Sequence, residues 1–166
     1  MVIQRKEYLD KLIAFKDKQL IKVIAGVRRC GKSTLLEIYQ NWLLEQGTDK
    51  EQIISINFED IDFEELTDYR KLYSHLKERL VSGKVTYIFL DEIQHVEDFP
   101  KVVDSLYIKK NVDIYITGSN AYMLSSEIAT LISGRYVQIE MLPLSFKEYM
   151  ESTGSMTDRG VKYTEY

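Results

Sequence analysis

The chain has 166 residues, of which 45% are hydrophobic and 29% are charged, a balance that excludes a disordered chain and is typical of one folded domain. The net charge of −4 excludes a global attraction to nucleic acid or to an anionic membrane, although a local basic patch stays open. Cys30 is the only cysteine, so no internal disulfide can form and a cytoplasmic location is expected. Every apolar run is far shorter than the about 20 residues that span a bilayer, so no membrane segment is expected.

The predicted elements alternate between helical patterns and short β-branched runs, which indicates an α/β fold with a mostly parallel sheet. Apolar periodicity first predicts a helix over residues 4–17. Apolar runs then predict five strands, at Leu20–Ala25, Ile53–Phe58, Val85–Leu90, Val112–Thr117 and Tyr136–Glu140.

Helices are predicted in the segments between these strands. They are expected at Lys32–Gln46, Glu64–Val81, Asp98 to about residue 110, and Ala121–Ile132. Asp98 and Pro100 indicate an N-cap followed by an early helical proline. Ser145 and Glu148 have the spacing of a capping box, which predicts a last short helix.

A glycine-rich segment, Gly26–Ser33, follows the first strand and reads Gly-Val-Arg-Arg-Cys-Gly-Lys-Ser. It matches the Walker A phosphate loop at each fixed position, and a predicted helix follows it. Gly26 and Gly31 allow turns that point successive backbone amides inward, toward a phosphate group. Lys32 is expected to bridge the β- and γ-phosphates, and Ser33 to place its hydroxyl on Mg²⁺. The motif therefore predicts that ATP binds with Mg²⁺.

Other residues in or beside the loop are candidates for nucleotide contacts. Thr34 follows the motif and is placed to touch the α-phosphate. Arg28 and Arg29 occupy variable positions, where they either add charge near the phosphates or face solvent or a partner. Cys30 is either an oxidisable thiol near a helix N-terminus or a small residue that fits the turn. The predicted nucleotide-binding residues are Gly26, Arg29, Cys30, Gly31, Lys32, Ser33 and Thr34.

Two acidic residues, Asp91 and Glu92, end the most hydrophobic strand of the chain. Asp91 lies 59 residues after Lys32, a normal distance for a Walker B motif. A carboxylate at the end of a buried strand is costly unless it meets a cation or a hydrogen-bond donor. Asp91 is therefore predicted to hold Mg²⁺ together with Ser33, and Glu92 to polarise the water that attacks the γ-phosphate. The alternative is an acidic turn after a strand.

Glu92 bears most directly on the reaction class. A small-molecule kinase has its own phosphate acceptor and does not need a water-activating glutamate, and the guanine-binding motif Asn-Lys-x-Asp does not occur. The acidic pair therefore favours ATP hydrolysis coupled to a conformational change on a partner. A nucleotide-gated binding module with little turnover and a small-molecule kinase stay open as alternatives.

Three further polar residues are candidates at the same site. Asn120 follows the fourth strand, where its amide would hold the attacking water or a phosphate oxygen, or cap the next helix. Arg135 would stabilise the transferring phosphoryl group in a neighbouring site, or is an ordinary surface arginine. Asn57 ends the second strand and is a candidate to hold Glu92 inactive until a partner binds.

Four signals in this order resemble the AAA-type branch of the P-loop ATPases: Gly26–Ser33, Leu90–Glu92, Gly118–Asn120 and Gly134–Arg135. More narrowly, the chain is similar to predicted archaeal and bacterial ATPases whose AAA domain precedes a C-terminal domain of unknown function. The segments that carry this narrower likeness are Ile24–Leu36, Phe89–Gln94, Thr117–Asn120 and Met141–Tyr149.

The resemblance implies a three-layer α/β/α sandwich of the P-loop NTPase type, with a five-stranded sheet in the order 5-1-4-3-2. It gives Asn120 the sensor role and makes Arg135 a candidate arginine finger. The chain is expected to divide into an AAA-type ATP-binding core over residues 1–150 and a polar tail over 151–166, and the resemblance implies that a lid and a C-terminal domain follow. Expected partners are ATP and ADP, an unidentified protein and, if Arg135 acts on a neighbouring site, further copies of this chain.

Overall fold

The computed structural model describes residues 3–119, 130 and 132–153, so the predicted helix over 121–132 falls almost wholly outside it. In the described residues, the strands are β1 (Ile21–Gly26), β2 (Ile53–Asn57), β3 (Thr86–Asp91), β4 (Val112–Gly118) and β5 (Tyr136–Met141). The α-helices are α1 (Lys6–Ala14), α2 (Lys32–Glu45), α3 (Tyr69–Glu78), α4 (Phe99–Tyr107) and α5 (Phe146–Thr153).

All five strands form one parallel sheet in the order β2-β3-β4-β1-β5. This is the order 5-1-4-3-2 read from the other edge, so the predicted topology is confirmed. Gly26 lies beside Met141, and Asn57 lies beside Asp91. The carboxyl ends of the strands therefore meet at one edge of the sheet, which carries the glycine-rich loop after β1 and the acidic pair after β3.

Two apolar cores lie on the two faces of the sheet. β1 and β3 are buried at every position because helices cover both faces. Val23 and Leu90 belong to the core that includes α3 and α4, whereas Ile24 and Phe89 belong to the core that includes α1 and α2. The structure is a three-layer α/β/α sandwich, which confirms the predicted fold class. In the part described, no helix is long and apolar enough to cross a bilayer.

The helix predicted over residues 64–81 is wrong in its first part. Ile61–Thr67 forms a 3₁₀ helix, and α3 begins only at Tyr69. The carboxylate of Asp68 accepts hydrogen bonds from the amides of Arg70 and Lys71, both at 3.0 Å, and so caps the helix. Apolar periodicity misses this start because a capping carboxylate contributes nothing to the apolar pattern.

Two predicted caps have different outcomes. The side chain of Asp98 makes no capping hydrogen bond to α4, and its carboxylate pairs with Lys101 at 3.1 Å instead. The capping box at the start of α5 is confirmed. The amide of Ser145 donates to Glu148 Oε2 at 2.8 Å, and the amide of Glu148 donates to Ser145 Oγ at 3.2 Å.

Candidate functional site

The loop between β1 and α2 has the backbone that its sequence predicts. Gly31 has a φ of +97°, a conformation that residues with a side chain rarely adopt. A Cβ on Gly26 would lie 2.6 Å from Cys30 Sγ and 2.6 Å from the carbonyl oxygen of Met141. The two fixed glycines therefore have different causes: Gly31 needs the left-handed turn, and Gly26 needs the close approach to β5.

A methyl group at position 26 is expected to destabilise the fold. Gly26→Ala should lower the free energy of unfolding by about 1–3 kcal/mol, the usual cost of overpacking, because a backbone oxygen of β5 cannot rotate away. Chemical denaturation followed by circular dichroism measures this change. Val27→Ala is the matched control, since Val27 is the next residue and is 46% exposed. Equal stability of the two variants would contradict the contact with Met141 as the constraint.

The ammonium group of Lys32 joins the loop to the acidic pair. The side chain is only 3% exposed, and Nζ donates to the carbonyl oxygens of Gly26 and Val27, both at 3.1 Å. It also lies 3.7 Å from Glu92 Oε1. The structure thus brings together the cation and the glutamate that the sequence assigns to one site.

Asp91 is fixed at the end of β3 by a hydroxyl group from β4. It is 5% exposed, and its Oδ1 accepts a hydrogen bond from Thr117 Oγ1 at 2.5 Å. The same Oγ1 accepts a hydrogen bond from the amide of Glu92 at 2.9 Å. Thr117 therefore orients both members of the acidic pair. Sequence reasoning gave it no role, although a hydroxyl at the end of an apolar strand was a usable signal.

Glu92 has a left-handed backbone, with φ 57° and ψ 50°. Such a conformation costs a residue with a side chain about 1–3 kcal/mol and persists only where the surroundings hold it. Its carboxylate is 12% exposed, and Oε2 accepts a hydrogen bond from Gln94 Nε2 at 2.5 Å. The other amide atom of this glutamine, Oε1, is buried without a hydrogen-bond partner.

The prediction that Asn57 holds Glu92 is wrong in this structure. Asn57 Oδ1 accepts a hydrogen bond from the amide of Glu59 at 3.0 Å, whereas the carboxylate of Glu92 is held by Gln94 and lies near Lys32. The left-handed backbone at Glu92 re-aims its side chain, and a strand pattern does not reveal such a turn.

A cavity of about 330 Å³ lies beside the loop. Its volume is within the usual range for a small-molecule site. The loop side is formed by Arg29, Cys30, Gly31 and Thr34, and the rest of the wall is formed by Ile3, Arg5, Leu35, Ile38, Met141 and Leu144. The mixed lining suits a ligand with an apolar ring joined to a polar or charged group.

The remaining loop residues differ in their surroundings. Cys30 is 4% exposed, which supports its interpretation as a small packed residue. Arg28 extends into solvent and lies 3.5 Å from Glu59. Arg29 is exposed, and Ser33 and Thr34 stand in the first turn of α2.

Arg135 does not lie in the site of its own chain. Arg135 precedes β5, at the edge of the sheet opposite the glycine-rich loop, and its side chain pairs with Asp104 at 3.2 Å. Any role for it at a phosphate group requires a neighbouring molecule. Asn120 lies outside the described residues.

Ser33 and Asp91 offer a hydroxyl and a carboxylate, the oxygen ligands that Mg²⁺ prefers. Within residues 3–119 and 132–153, no group of three or more His, Cys, Asp and Glu side chains could hold a metal ion. Two protein ligands fit Mg²⁺ bound together with a nucleotide, because this ion keeps waters and takes phosphate oxygens as its other ligands.

Comparisons with known proteins give a consistent picture. A family model described as an AAA domain matches residues 18–150. A protein of Haemophilus influenzae that bears only the name of an uncharacterized protein is 44% identical over 171 residues. The match covers 99% of this chain and 42% of the relative, so this chain spans less than half of that protein.

Two solved structures share the fold at low sequence identity. A structure of Hsp104 with ATPγS and casein has a TM-score of 0.61 and 17% identity, and the match covers 90% of this chain and 28% of that one. DnaA from Aquifex aeolicus, bound to AMPPCP, has a TM-score of 0.58 and 15% identity, with 99% and 55% covered. Both similarities support the α/β fold described above.

Proposed function

The chain belongs to the AAA domain family, and we propose that it binds ATP with Mg²⁺ and hydrolyses it to ADP and phosphate. The observation that carries this proposal is the meeting of Lys32, Asp91 and Glu92. The ammonium of Lys32 lies 3.7 Å from the carboxylate of Glu92, the residue next to Asp91. A cation, a metal ligand and a base at one point are the groups that phosphoryl transfer to water requires.

The loop supplies binding in this proposal. Its backbone amides and the N-terminus of α2 would hold the phosphate oxygens, with Lys32 donating to the β- and γ-phosphates. Ser33 and Asp91 would hold Mg²⁺, which supplies charge neutralisation at the phosphates. The cavity of about 330 Å³ would take the adenine ring on its apolar wall, next to Thr34.

Glu92 supplies the chemistry. Its carboxylate would accept a proton from a water molecule as that water attacks the γ-phosphorus and the bond to the ADP oxygen breaks. Thr117 fixes the amide of Glu92, and Gln94 fixes its carboxylate. This support limits the directions that the base can take, which favours a single productive geometry.

A partner is part of the proposal. Hydrolysis at a site made of loops and strand ends would be coupled to a movement that acts on another protein. The Hsp104 structure that shares this fold contains such a second protein, casein. Arg135 is about half exposed and lies away from the site of its own chain. It would serve a neighbouring copy as an arginine finger, which requires that the protein assembles.

The second candidate is a nucleotide-gated binding module with little turnover. One observation favours it: the carboxylate of Glu92 is already hydrogen-bonded to Gln94 and close to Lys32. A base in such contacts is less free to accept a proton. In this module, ATP occupancy would control a binding surface, and phosphate release would be slow without a partner.

The test of nucleotide binding is the variant Lys32→Ala. We expect its ATP affinity to fall by about 100-fold, since a charged hydrogen bond contributes about 1.5–3 kcal/mol and Lys32 would make more than one. Calorimetric titration with ATP and Mg²⁺ measures the dissociation constant. Arg28→Ala is the matched control, because Arg28 lies in the same loop with its side chain 79% exposed. Unchanged ATP affinity of Lys32→Ala would refute the proposed site.

A further inference from the structure

Arg5 joins three segments that are distant in the sequence. Its Nη1 donates to the carbonyl oxygen of Cys30 at 3.1 Å and to that of Leu142 at 2.6 Å. Its Nε donates to Glu148 Oε1 at 3.1 Å. The side chain is only 7% exposed, and its guanidinium lies 4.6 Å from the centre of the Tyr8 ring. A single buried arginine thus connects the N-terminal segment, the glycine-rich loop and α5.

Its neighbours hold Arg5 in place from several sides. Arg5 itself has a left-handed backbone, with a φ of 36°, at the start of α1. The hydroxyl of Tyr8 accepts a hydrogen bond from the amide of Leu142 at 3.2 Å, so Leu142 is bound through both its amide and its carbonyl group. An unfavourable backbone conformation persists only where specific contacts hold it, and such positions are concentrated at functional sites.

Glu148 is prepared for the same contact. Partial burial opposes its charge, but hydrogen bonds from Ser145 and the positive charge of Arg5 outweigh this and hold the pKa of Glu148 below its usual value. The carboxylate is therefore charged at neutral pH. One of its oxygens caps α5 and the other binds Arg5, so a shift of α5 and a shift of Arg5 are linked.

The contact with Cys30 bears on the amide of the next residue. In a trans peptide, the carbonyl oxygen of Cys30 and the N–H of Gly31 point in opposite directions. The guanidinium of Arg5, bound to the oxygen of Cys30, therefore fixes the direction of the Gly31 N–H. It also increases the partial positive charge of that N–H, which favours an anion on the other side of the peptide. Gly31 has no side chain to restrict its own backbone, so an outside anchor such as Arg5 has the larger effect.

We propose that Arg5 is a positioning residue that aims the loop amides at ATP and couples ATP binding to the docking of α5. The proposal rests on the proposed function only in that the loop binds ATP. Because Arg5 holds both the loop and Glu148, each contact strengthens the other. By linkage, ATP that orders the loop tightens α5, and a docked α5 raises ATP affinity by the same factor.

The first part of the proposal, that Arg5 aims the loop amides at ATP, is tested by measuring nucleotide affinity in the full chain. Arg5→Gln should raise the dissociation constant and the KM for ATP by about 10-fold, within the usual range of coupling between sites, with kcat within about 2-fold of wild type. Arg5→Lys keeps the positive charge but loses the planar set of donors of the guanidinium, so ATP affinity is expected to fall by about 3-fold. Arg70→Gln, an exposed arginine of α3, is the control with wild-type values.

A merely structural role for Arg5 would give a different result. It would lower the unfolding temperature without ATP and the active fraction, with KM unchanged. Glu148→Gln provides a second route that leaves Arg5 intact. Glutamine can still accept the hydrogen bond from the amide of Ser145 that caps α5, but it lacks the negative charge that binds Arg5. ATP affinity should fall by about 3-fold in Glu148→Gln, and little further when this change is added to Arg5→Gln.

The second part of the proposal, that ATP binding is coupled to the docking of α5, is tested by hydrogen exchange of the α5 amides. A non-hydrolysable ATP analogue should slow exchange in α5 of the wild type and leave it unchanged in Arg5→Gln. Wild-type affinity in Arg5→Gln, or exchange in wild-type α5 that ignores the nucleotide, would overturn the inference while leaving ATP binding standing. A wild type that binds no ATP would overturn the proposed function as well, so the two failures are distinguishable.

Discussion

Glu92→Gln is expected to lower steady-state phosphate release by about 10²–10⁴-fold, the usual contribution of a general base, while ATP still binds. Glutamine has the same length as glutamate and can remain beside Lys32 and Gln94. It cannot take the proton of the attacking water. The measurements are kcat from phosphate release and the dissociation constant from titration with ATP. Glu97→Gln changes an exposed acid of the same segment and should leave both values unchanged.

Each other outcome of this experiment favours a different function. If wild type and Glu92→Gln both bind ATP and neither releases phosphate in the full chain, the nucleotide-gated module replaces the ATPase. If phosphate appears on an added small-molecule acceptor instead of in water, the kinase is supported. Equal, measurable release from both proteins would show that Glu92 is not the base, and the ATPase would then use another group in that role.

The strands and the loop were predictable because their causes are local, whereas the order of the strands in the sheet came from the resemblance to AAA-type ATPases. Apolar runs such as Val85–Leu90 are buried on both faces of a parallel sheet, and Gly26 and Gly31 stand at positions where a side chain would clash or strain the turn. The reason for Gly26 was less local. Its neighbour Met141 lies far along the chain, and no spacing rule brings the two together.

Side-chain partners at the site were less predictable for a geometric reason. Asn57 and Asp91 lie in register on adjacent strands, which made a contact between Asn57 and Glu92 reasonable. The left-handed backbone of Glu92 sends its carboxylate to Gln94 instead. The backbone conformation at Glu92 and its contact with Gln94 occur together, and residue types alone do not encode that conformation.

A charged pair inside the sheet is a second feature that local sequence patterns do not predict. Lys22 in β1 and Asp113 in β4 are nearly fully buried, and the ammonium of Lys22 is bonded to Asp113 Oδ1. Asp113 Oδ2 accepts hydrogen bonds from the hydroxyl of Tyr115 at 2.8 Å and from the amide of Asp17 at 2.9 Å. Burial lowers the pKa of Lys22 and raises that of Asp113, and the opposite charge of each partner counteracts both effects.

The pair is far enough from the loop to separate stability from function. Lys22 precedes Gly26 by four residues in β1, a distance of about 13 Å along a strand. Its remaining hydrogen bond goes to the carbonyl oxygen of Lys18 at 2.7 Å, before the strand. A change at Lys22 is therefore expected to act on folding and to leave the ATP affinity of the folded protein unchanged.

Lys22→Met is expected to lower the free energy of unfolding by about 3–5 kcal/mol, because it leaves the carboxylate of Asp113 buried without its cation. For a domain of this size, the unfolding temperature should fall by about 10 °C. Lys110→Met, an exposed lysine, is the control for the change of residue type and should unfold like wild type.

The double variant Lys22→Met with Asp113→Leu separates the value of the pair from the cost of an orphaned charge. Removing both charges should destabilise the protein less than Lys22→Met alone, since no unpaired carboxylate remains, although the hydroxyl of Tyr115 and the amide of Asp17 each lose an acceptor. Thermal and chemical unfolding of four proteins, namely wild type, Lys22→Met, Asp113→Leu and the double variant, measure the cycle. A double variant that is less stable than Lys22→Met would contradict the orphaned charge as the main cost, and would show that Asp113 stabilises the fold through its hydrogen bonds with Tyr115 and Asp17.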